Sequence, residues 1–550
     1  MAPPIGTSRH APSWGRAIER GVYDLRILSA TVAGPARATR DLGPHIRSPL
    51  SAERMQTIVR DRLNRRGDLF LELADRAIFT NARSPYLRLL AHAGCTRGDL
   101  RALVQREGLE GALAALAASG VYVAFDELKG RRPIVRGSLQ FRATYEQFSN
   151  PLQPAHLIVP TGGSGGRRSP VRRSLADARD NALGLLAAVD AHGMRNVRHV
   201  LWGATPQGFF KSMAVGLPVI GWFYATKPIP QTALFGLKYL ATVSRMYGAT
   251  AATPSHLDVS QPARMARWLH ARQRPDSPIL VTAYASSAVR ACLAAAELGL
   301  TLPHVVFEAH GEPFTEARRA AIVAAGARAI VRYGSTEIPS VGYGCASPRA
   351  VDDVHVAIEK LALTVRKRAV PDDTGVTESL ILTSLLPTTP LVALNVELGD
   401  RADVSQRACE CASGTLGLTQ HLENIRSFEK LTGEGVTFAL TDVLRILEER
   451  LPARFGGSLA DYQLAERFEQ DGITRMELRI ATRLPAVRED DVKAEVLRWL
   501  GEGSLMSGHM ANVWTKLGTL TVVRQDPTPT AAGKVLPFMP ARAAVQAASG

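Results

Sequence analysis

From His156 onward, short apolar runs of strand length alternate with apolar-periodic runs of helix length, and this alternation restricts the possible folds more than any other feature. Strand-like runs fall at His156 to Val159, Pro278 to Ala283, His304 to Glu308 and Arg328 to Tyr333. Helical patterns at Ser174 to His192, Ser286 to Leu298 and Thr315 to Ala325 are interleaved with them. Strands linked through helices argue for an α/β fold with a mainly parallel sheet.

The flanking regions read differently. The first 150 residues look largely helical, with Thr96 and Asp99 opening an amphipathic stretch that runs through Leu113 to Ala118. The character changes near Phe428. A helix (Leu440 to Leu451), a strand pair (Tyr462 to Phe468 and Arg475 to Ile480), a helix (Glu489 to Leu500) and a strand (Thr519 to Arg524) then make a small α+β unit, which ends in a loop carrying Lys534. The expected organisation is a helical extension over 1–83, a large multi-subdomain α/β domain over 84–427 and a small mobile lid domain over 428–550. The boundary is placed near Ser427 to Lys430.

Bulk properties exclude several classes. A chain of 550 residues, 46% of them apolar, is long enough for more than one domain and reads as globular. No sustained apolar block opens it, so no secretory signal is expected. The longest apolar stretches, Ala112 to Phe125 and Ser212 to Thr226, fall short of the ~18 residues of a spanning helix, so no membrane span and a cytoplasmic location are expected. The net charge of +15 is dispersed apart from Arg167, Arg168, Arg172 and Arg173, so no nucleic-acid partner is expected. Five cysteines are too few and too uneven for a disulfide scaffold, and Cys95 and Cys292 sit in apolar, helix-like surroundings where a free thiol is the rule.

Two segments carry candidate chemistry. Thr161, Gly162, Gly163, Ser164, Gly165 and Gly166, followed by Arg167 and Arg168, combine glycines that let backbone N–H groups face an anion with hydroxyl donors and cations. The segment lacks the ending of a Walker loop and leads into an extended stretch, so a hairpin tip is the competing reading. Tyr333, Gly334, Ser335, Thr336 and Glu337 stand at the end of an apolar strand, where α/β sheets put their ligands. An aromatic, a hydroxyl and a carboxylate suit a base, a phosphate and Mg²⁺, and a polar capping loop is the alternative.

The order of the glycine loop, Gly311-Glu312-Pro313, Tyr333 to Glu337, Leu398-Gly399-Asp400 and Gly533-Lys534 resembles the adenylate-forming, acyl-CoA synthetase-like superfamily. With Cys409-Glu410-Cys411 and Gly435-Val436-Thr437-Phe438, the chain looks most like the phenylacetate–CoA ligase branch. The resemblance is scattered between Ser84 and the C-terminus. It implies ATP-dependent activation of a small carboxylic acid to an acyl-adenylate, with acyl transfer to a thiol, coenzyme A by default. By the same resemblance, residues Thr161 to Gly166 would wrap the phosphates, and Gly311, Glu312 and Pro313 would line the adenine pocket with Tyr333 stacked on the purine. Thr336 would contact the α-phosphate, Glu337 would hold Mg²⁺ and Asp400 would take the ribose. Arg426 would precede the hinge, Glu429 would stand at the hinge where the family usually has Asp, and Lys534 would be the mobile lysine that reaches the adenylate.

Cys345, His355, Cys409 and Cys411 form a Cys₃His set suited to a closed, structural Zn²⁺ site. Three buried free cysteines and a surface histidine are the alternative. His310 precedes Gly311 and stands either beside the nucleotide or acyl group or as a satisfied loop residue, while Phe209 and Phe210, next to Lys211, read as core. No Ser/His/Asp set or paired-carboxylate motif stands out. Other outcomes open to such a chain are acyl transfer to a carrier protein, a protein cysteine or an amine, adenylyl transfer to a cofactor, and a nucleotide-binding scaffold without turnover.

Overall fold

Among the described residues, ten strands form the central sheet. Their order is Asp400–Gln406, Gln420–Ser427, Val354–Val356, Gly342–Gly344, Arg328–Tyr333, Val305–His310, Ile279–Tyr284, Arg198–Trp202, Val219–Tyr224 and Ser255–His256. This computed structural model describes residues 39–154, 156–160, 169–203, 206–224, 231–369, 376–427, 442–468, 474–503, 505–530 and 533–539. The glycine-rich segment from Thr161 to Gly166, Arg167 and Arg168, the hinge candidate Glu429 and the Gly435 to Phe438 turn lie outside the described residues.

The six strands from Arg328–Tyr333 to Ser255–His256 run parallel. The other four join antiparallel, so the sheet is mixed where the sequence pointed to a mainly parallel one. The change of direction falls at Tyr333. After it the chain makes a tight turn and returns with Tyr333 paired to Gly342, and a return this short can only be antiparallel. The returning strands, Gly342–Gly344 and Val354–Val356, are too short to show a period of two in the sequence.

Helices cover both faces of the parallel half. The Leu175–Ala191 helix starts at Ser174, whose Oγ accepts the Asp177 N–H at 3.0 Å. The Glu316–Ala324 helix starts likewise at Thr315. Successive strand residues point to opposite faces. Val281 and Phe307 therefore pack beneath the helices Ala285–Glu297 and Glu316–Ala324, whereas Leu280, Val306 and Ile330 pack beneath Leu175–Ala191. No helix among the described residues is long and apolar enough to cross a membrane.

Residues ahead of Ser84 share in this body. Phe70, Leu71 and Leu73 enter one apolar core with Tyr86 and Leu89 and with the three-stranded sheet Leu361–Ala369, Val376–Ser384, Val396–Glu397. The Thr96–Asp99 capping box forms as expected, but the Arg97–Ala118 helix is broken at Gly108, where φ is +73°.

At the other end, strands Leu520–Arg524, Thr474–Ile480, Tyr462–Phe468 and Phe538–Met539 form a separate four-stranded sheet. It has its own core of Leu447, Leu464, Leu478, Val492, Leu500 and Trp514. Arg318 ties this unit to the body. Its guanidinium lies 2.8 Å from Glu312 Oε2 and 2.9 Å from Glu448 Oε1, and Thr315 Oγ1 donates to the other Glu448 oxygen. Arg318 and Glu448 side chains are 3% and 2% exposed, so neither charge has water as an alternative partner. Glu448→Ala should lower stability by about 3 kcal/mol, the low end for breaking a buried pair because Glu312 remains. Chemical denaturation and limited proteolysis of the C-terminal unit would read the change, and a variant as resistant as the parent would show that this ion pair does not hold the unit down.

Candidate active site

Strands Ile279–Tyr284, Val305–His310 and Arg328–Tyr333 end side by side, with Tyr284 opposite His310 and His310 opposite Arg332. The connections that leave these ends carry Ser286, the Gly311-Glu312-Pro313 turn and the Gly334 to Glu337 turn. This is the position that open α/β sheets offer to ligands.

Lys534 reaches this place from the C-terminal unit. Its Nζ donates to the Gly311 carbonyl at 2.8 Å and stands 5.0 Å from the centre of the Tyr284 ring. Thr530 Oγ1 accepts the Lys534 N–H at 3.1 Å, and the Val535 N–H donates to Ser286 Oγ at 3.3 Å. The lysine loop is thus closed on itself through Thr530 and held to the body through Val535. Gly311 has φ +76°, and a Cβ there would come within 3.2 Å of both Lys534 Nζ and the Tyr284 ring. Only glycine meets both demands.

Glu312 lies beside this contact but is committed elsewhere. Its carboxylate accepts the Ser286 N–H at 3.0 Å and Ser286 Oγ–H at 2.8 Å, and it pairs with Arg318, with 0% of the side chain exposed. It braces the turn through Ser286 and Arg318.

Tyr333 and Asp400, distant in sequence, meet directly. The phenol donates to Asp400 Oδ2 at 2.8 Å. Burial first, and the Asp400 charge second, push its pKa well above the usual phenol value, so the group stays a donor. Ser335 closes the following turn by accepting the Ile338 N–H on Oγ at 3.1 Å, and a Cβ on Gly334 would sit 2.6 Å from the Ser340 nitrogen. The Thr336 carbonyl accepts from Arg173 at 2.6 Å, while the other arm of Arg173 pairs with Asp177 at 3.0 Å. Arg173 belongs to strand Pro170–Arg173, which pairs antiparallel with Leu157–Pro160. The strands flanking the glycine-rich segment therefore form a hairpin, and Arg173 anchors it to the Tyr333 to Glu337 turn.

Glu337 has a partner that the sequence reading missed. Its carboxylate forms an ion pair with Lys129, with 8% and 7% of the two side chains exposed. Lys129 Nζ also stands 5.3 and 5.1 Å from the ring centres of Phe125 and Tyr145. No motif surrounds Lys129, so nothing local marks it. Arg426 pairs with Asp352 at 3.1 Å in the strand next to Asp400. Phe209 and Phe210 are core residues, 0% and 1% exposed, as expected.

The four cysteine and histidine candidates come together. One ligand atom from each of Cys345, His355, Cys409 and Cys411 lies within 4.8 Å of all the others. The sulfurs of Cys345 and Cys409 are 3.5 Å apart, and His355 Nε2 is 3.0 Å from Cys411 Sγ. The Leu418 carbonyl takes the His355 Nδ1 proton at 2.6 Å, which leaves the Nε2 lone pair aimed into the cluster. A hydrogen bond from Cys345 holds Cys411 below the usual thiol pKa, and the same bond holds Cys345 above it. Gly414 makes the tight Cys-x-Cys turn feasible, because a Cβ there would lie 2.0 Å from the Cys409 carbonyl oxygen. The cluster ties the short strands after Tyr333 to the segment after Asp400.

No family model and no curated protein matches the chain. Among solved structures, it is similar to a 2-hydroxyisobutyryl-CoA ligase in complex with 2-HIB-AMP and CoA, at 14% identity, covering 90% of this chain and 91% of that one, with a TM-score of 0.42. It is also similar to ATP-bound MatB from Rhodopseudomonas palustris, at 13% identity, 69% and 66% coverage and a TM-score of 0.41. A third is an O-succinylbenzoate coenzyme A synthetase from Bacillus subtilis in complex with AMP, at 10% identity, 70% and 68% coverage and a TM-score of 0.40. Each is a distant likeness in overall shape.

Proposed function

We propose that the protein is an ATP-dependent carboxylate ligase that forms an acyl- or aryl-adenylate and then passes the acyl group to a thiol, with coenzyme A as the default acceptor. One observation carries this reading. A lysine from the C-terminal unit is docked on the Gly311 turn, at the same strand ends as the Tyr333–Asp400 pair and the Thr336–Glu337 turn. A binding scaffold has no use for a cation delivered in this way.

The chemistry follows from the arrangement. A carboxylate oxygen attacks the α-phosphorus of ATP, the bond to pyrophosphate breaks, and the resulting mixed anhydride has AMP as its next leaving group. Negative charge builds at the α-phosphate, where Lys534 and the Thr336 hydroxyl are to meet it. Gly311 and Pro313 line the adenine side, Tyr333, fixed through Asp400, offers its ring to the purine, and Asp400 would take the ribose. Glu337 would hold Mg²⁺, which when bound neutralises phosphate charge. Lys129 is the cation that balances this carboxylate in the structure. Residues 428–550 would form the small domain whose rearrangement opens the site for the thiol. A carrier-protein thiol or an amine remains the second reading for the acceptor.

We also propose that Cys345, His355, Cys409 and Cys411 hold a structural Zn²⁺, in keeping with the phenylacetate–CoA ligase-like branch. Thiolates about 2.3 Å from a tetrahedral zinc stand about 3.8 Å apart, close to the 3.5 Å between Cys345 and Cys409. With four protein donors no position stays open for catalysis.

Two measurements test these assignments. ATP–pyrophosphate exchange over a panel of aromatic, fatty and amino acids should reveal at least one substrate, and Lys534→Ala should cut that exchange by about 100-fold or more. No exchange with any acid, in protein shown to bind ATP, would overturn the ligase reading, and undiminished exchange in the variant would remove Lys534 from the site. Metal analysis of purified protein should find one zinc per chain, lost in Cys409→Ser. Well-folded protein without zinc would sink the metal assignment.

A further inference from the structure

Directly beneath the strand ends, on the sheet face covered by the Leu175–Ala191 and Gln207–Ala214 helices, the interior is charged. Lys211 Nζ donates to Glu308 Oε1 at 3.0 Å and to the Tyr343 hydroxyl at 3.1 Å. Thr282 donates to the other Glu308 oxygen, and His199 Nε2 lies 2.8 Å from the same threonine hydroxyl. Lys211 and Glu308 side chains are 6% and 1% exposed. One step further toward the strand ends on the same face come His310 and Arg332, opposite each other in register. The next residue after His310 is Gly311, where Lys534 docks.

The charges of this layer do not balance. Lys211 and Arg332 are two cations, and Glu308 is the one carboxylate between them, 3.1 Å from Arg332 Nε. That approach is off the line a hydrogen bond needs, so Arg332 Nε is buried without an acceptor. Its terminal nitrogens bond to nothing among the described residues, and neither do the ring nitrogens of His310. Burial and the surrounding cations keep His310 and His199 neutral near pH 7, so neither histidine adds charge. Glu312, the next carboxylate, is already taken by Arg318. An apolar acyl chain laid here would strip water from a guanidinium and leave it only the Glu308 carboxylate that it shares with Lys211, which is costly in a protein interior. A carboxylate would instead meet the fork of N–H groups that arginine presents.

Building on the ligase reading, we propose that the acid activated here is a dicarboxylic acid, with one carboxylate reacting beside Lys534 and the second held by Arg332 with His310 alongside. Neighbouring strands lie about 4.8 Å apart and a strand rises about 3.3 Å per residue. The two anchor points are therefore separated by about 5–10 Å, which suits a short-chain or aryl dicarboxylate and excludes a long fatty diacid.

The test is ATP–pyrophosphate exchange with matched pairs: succinate against butyrate, glutarate against valerate, and phthalate, isophthalate and terephthalate against benzoate. At least one diacid should exceed its monoacid partner about 100-fold or more in kcat/KM. Arg332→Leu should raise the KM for that diacid about 100-fold, and Arg332→Lys, which keeps the charge but not the fork, should recover part of the loss. Circular dichroism of each variant checks that it folds, and the Lys variant keeps the test decisive if the Leu variant does not. A wild-type preference for monoacids would overturn the dicarboxylate assignment while leaving the ligase reading intact. Absence of exchange with every acid in ATP-binding protein would instead bring down the ligase reading itself. A diacid preference that both Arg332 variants retain in full would show that this arginine does not hold the second carboxylate.

Discussion

Arg318 lies between two buried carboxylates, Glu312 on the body and Glu448 on the C-terminal unit. Glu312 in turn fixes the start of the Ala285–Glu297 helix through Ser286, and the same serine hydroxyl accepts the Val535 N–H beside Lys534. One buried guanidinium therefore sets the shape of the Gly311 turn and the seat of the C-terminal unit together. A buried ion pair contributes little net stability against an apolar alternative, but losing one partner strands the other charge. Such an arrangement penalises every intermediate placement of the two units and so favours a defined docked position for Lys534.

The rest of the site follows the same pattern of charges held by groups remote in sequence. Tyr333 is positioned by Asp400, Thr336 by Arg173 and Glu337 by Lys129. Each of these contacts sits where the sheet changes from parallel to antiparallel. The tight return through Gly334 and Ser335 keeps the chain beside these strand ends instead of carrying it away along a helix. The Cys345 to Cys411 cluster then fastens the short returning strands, which have too few ladder bonds to be stable alone.

Much of this was legible along the chain. The strand and helix alternation located the parallel half, because side-chain period and capping residues are local properties. The Tyr333 segment was visible as a polar turn at the end of an apolar strand, whereas the segments around Gly311, Asp400 and Lys534 stood out only through the order they share with a known family. So was the Cys₃His set, because its spacing is a matter of residue type. Lys129, Arg173 and Arg332 were not legible. None of them carries a local signal of its role, not even Arg173 in its cationic cluster, and each takes its meaning from the carboxylate, carbonyl or strand end that faces it. Two of the antiparallel strands, Gly342–Gly344 and Val354–Val356, escaped for a related reason, since strands of three residues carry no period.

By itself, then, the sequence determined the α/β class, the parallel strands and the four cysteine and histidine residues that cluster. These depend on composition and spacing within windows of a few residues. Only the tertiary structure decided which of them meet. It seated Lys534 against a glycine 223 positions away, paired Glu312 with Arg318 and set two cations around one buried carboxylate beneath the strand ends. Those outcomes depend on distances through space and on the exclusion of water, and neither is written in the order of residues along the chain.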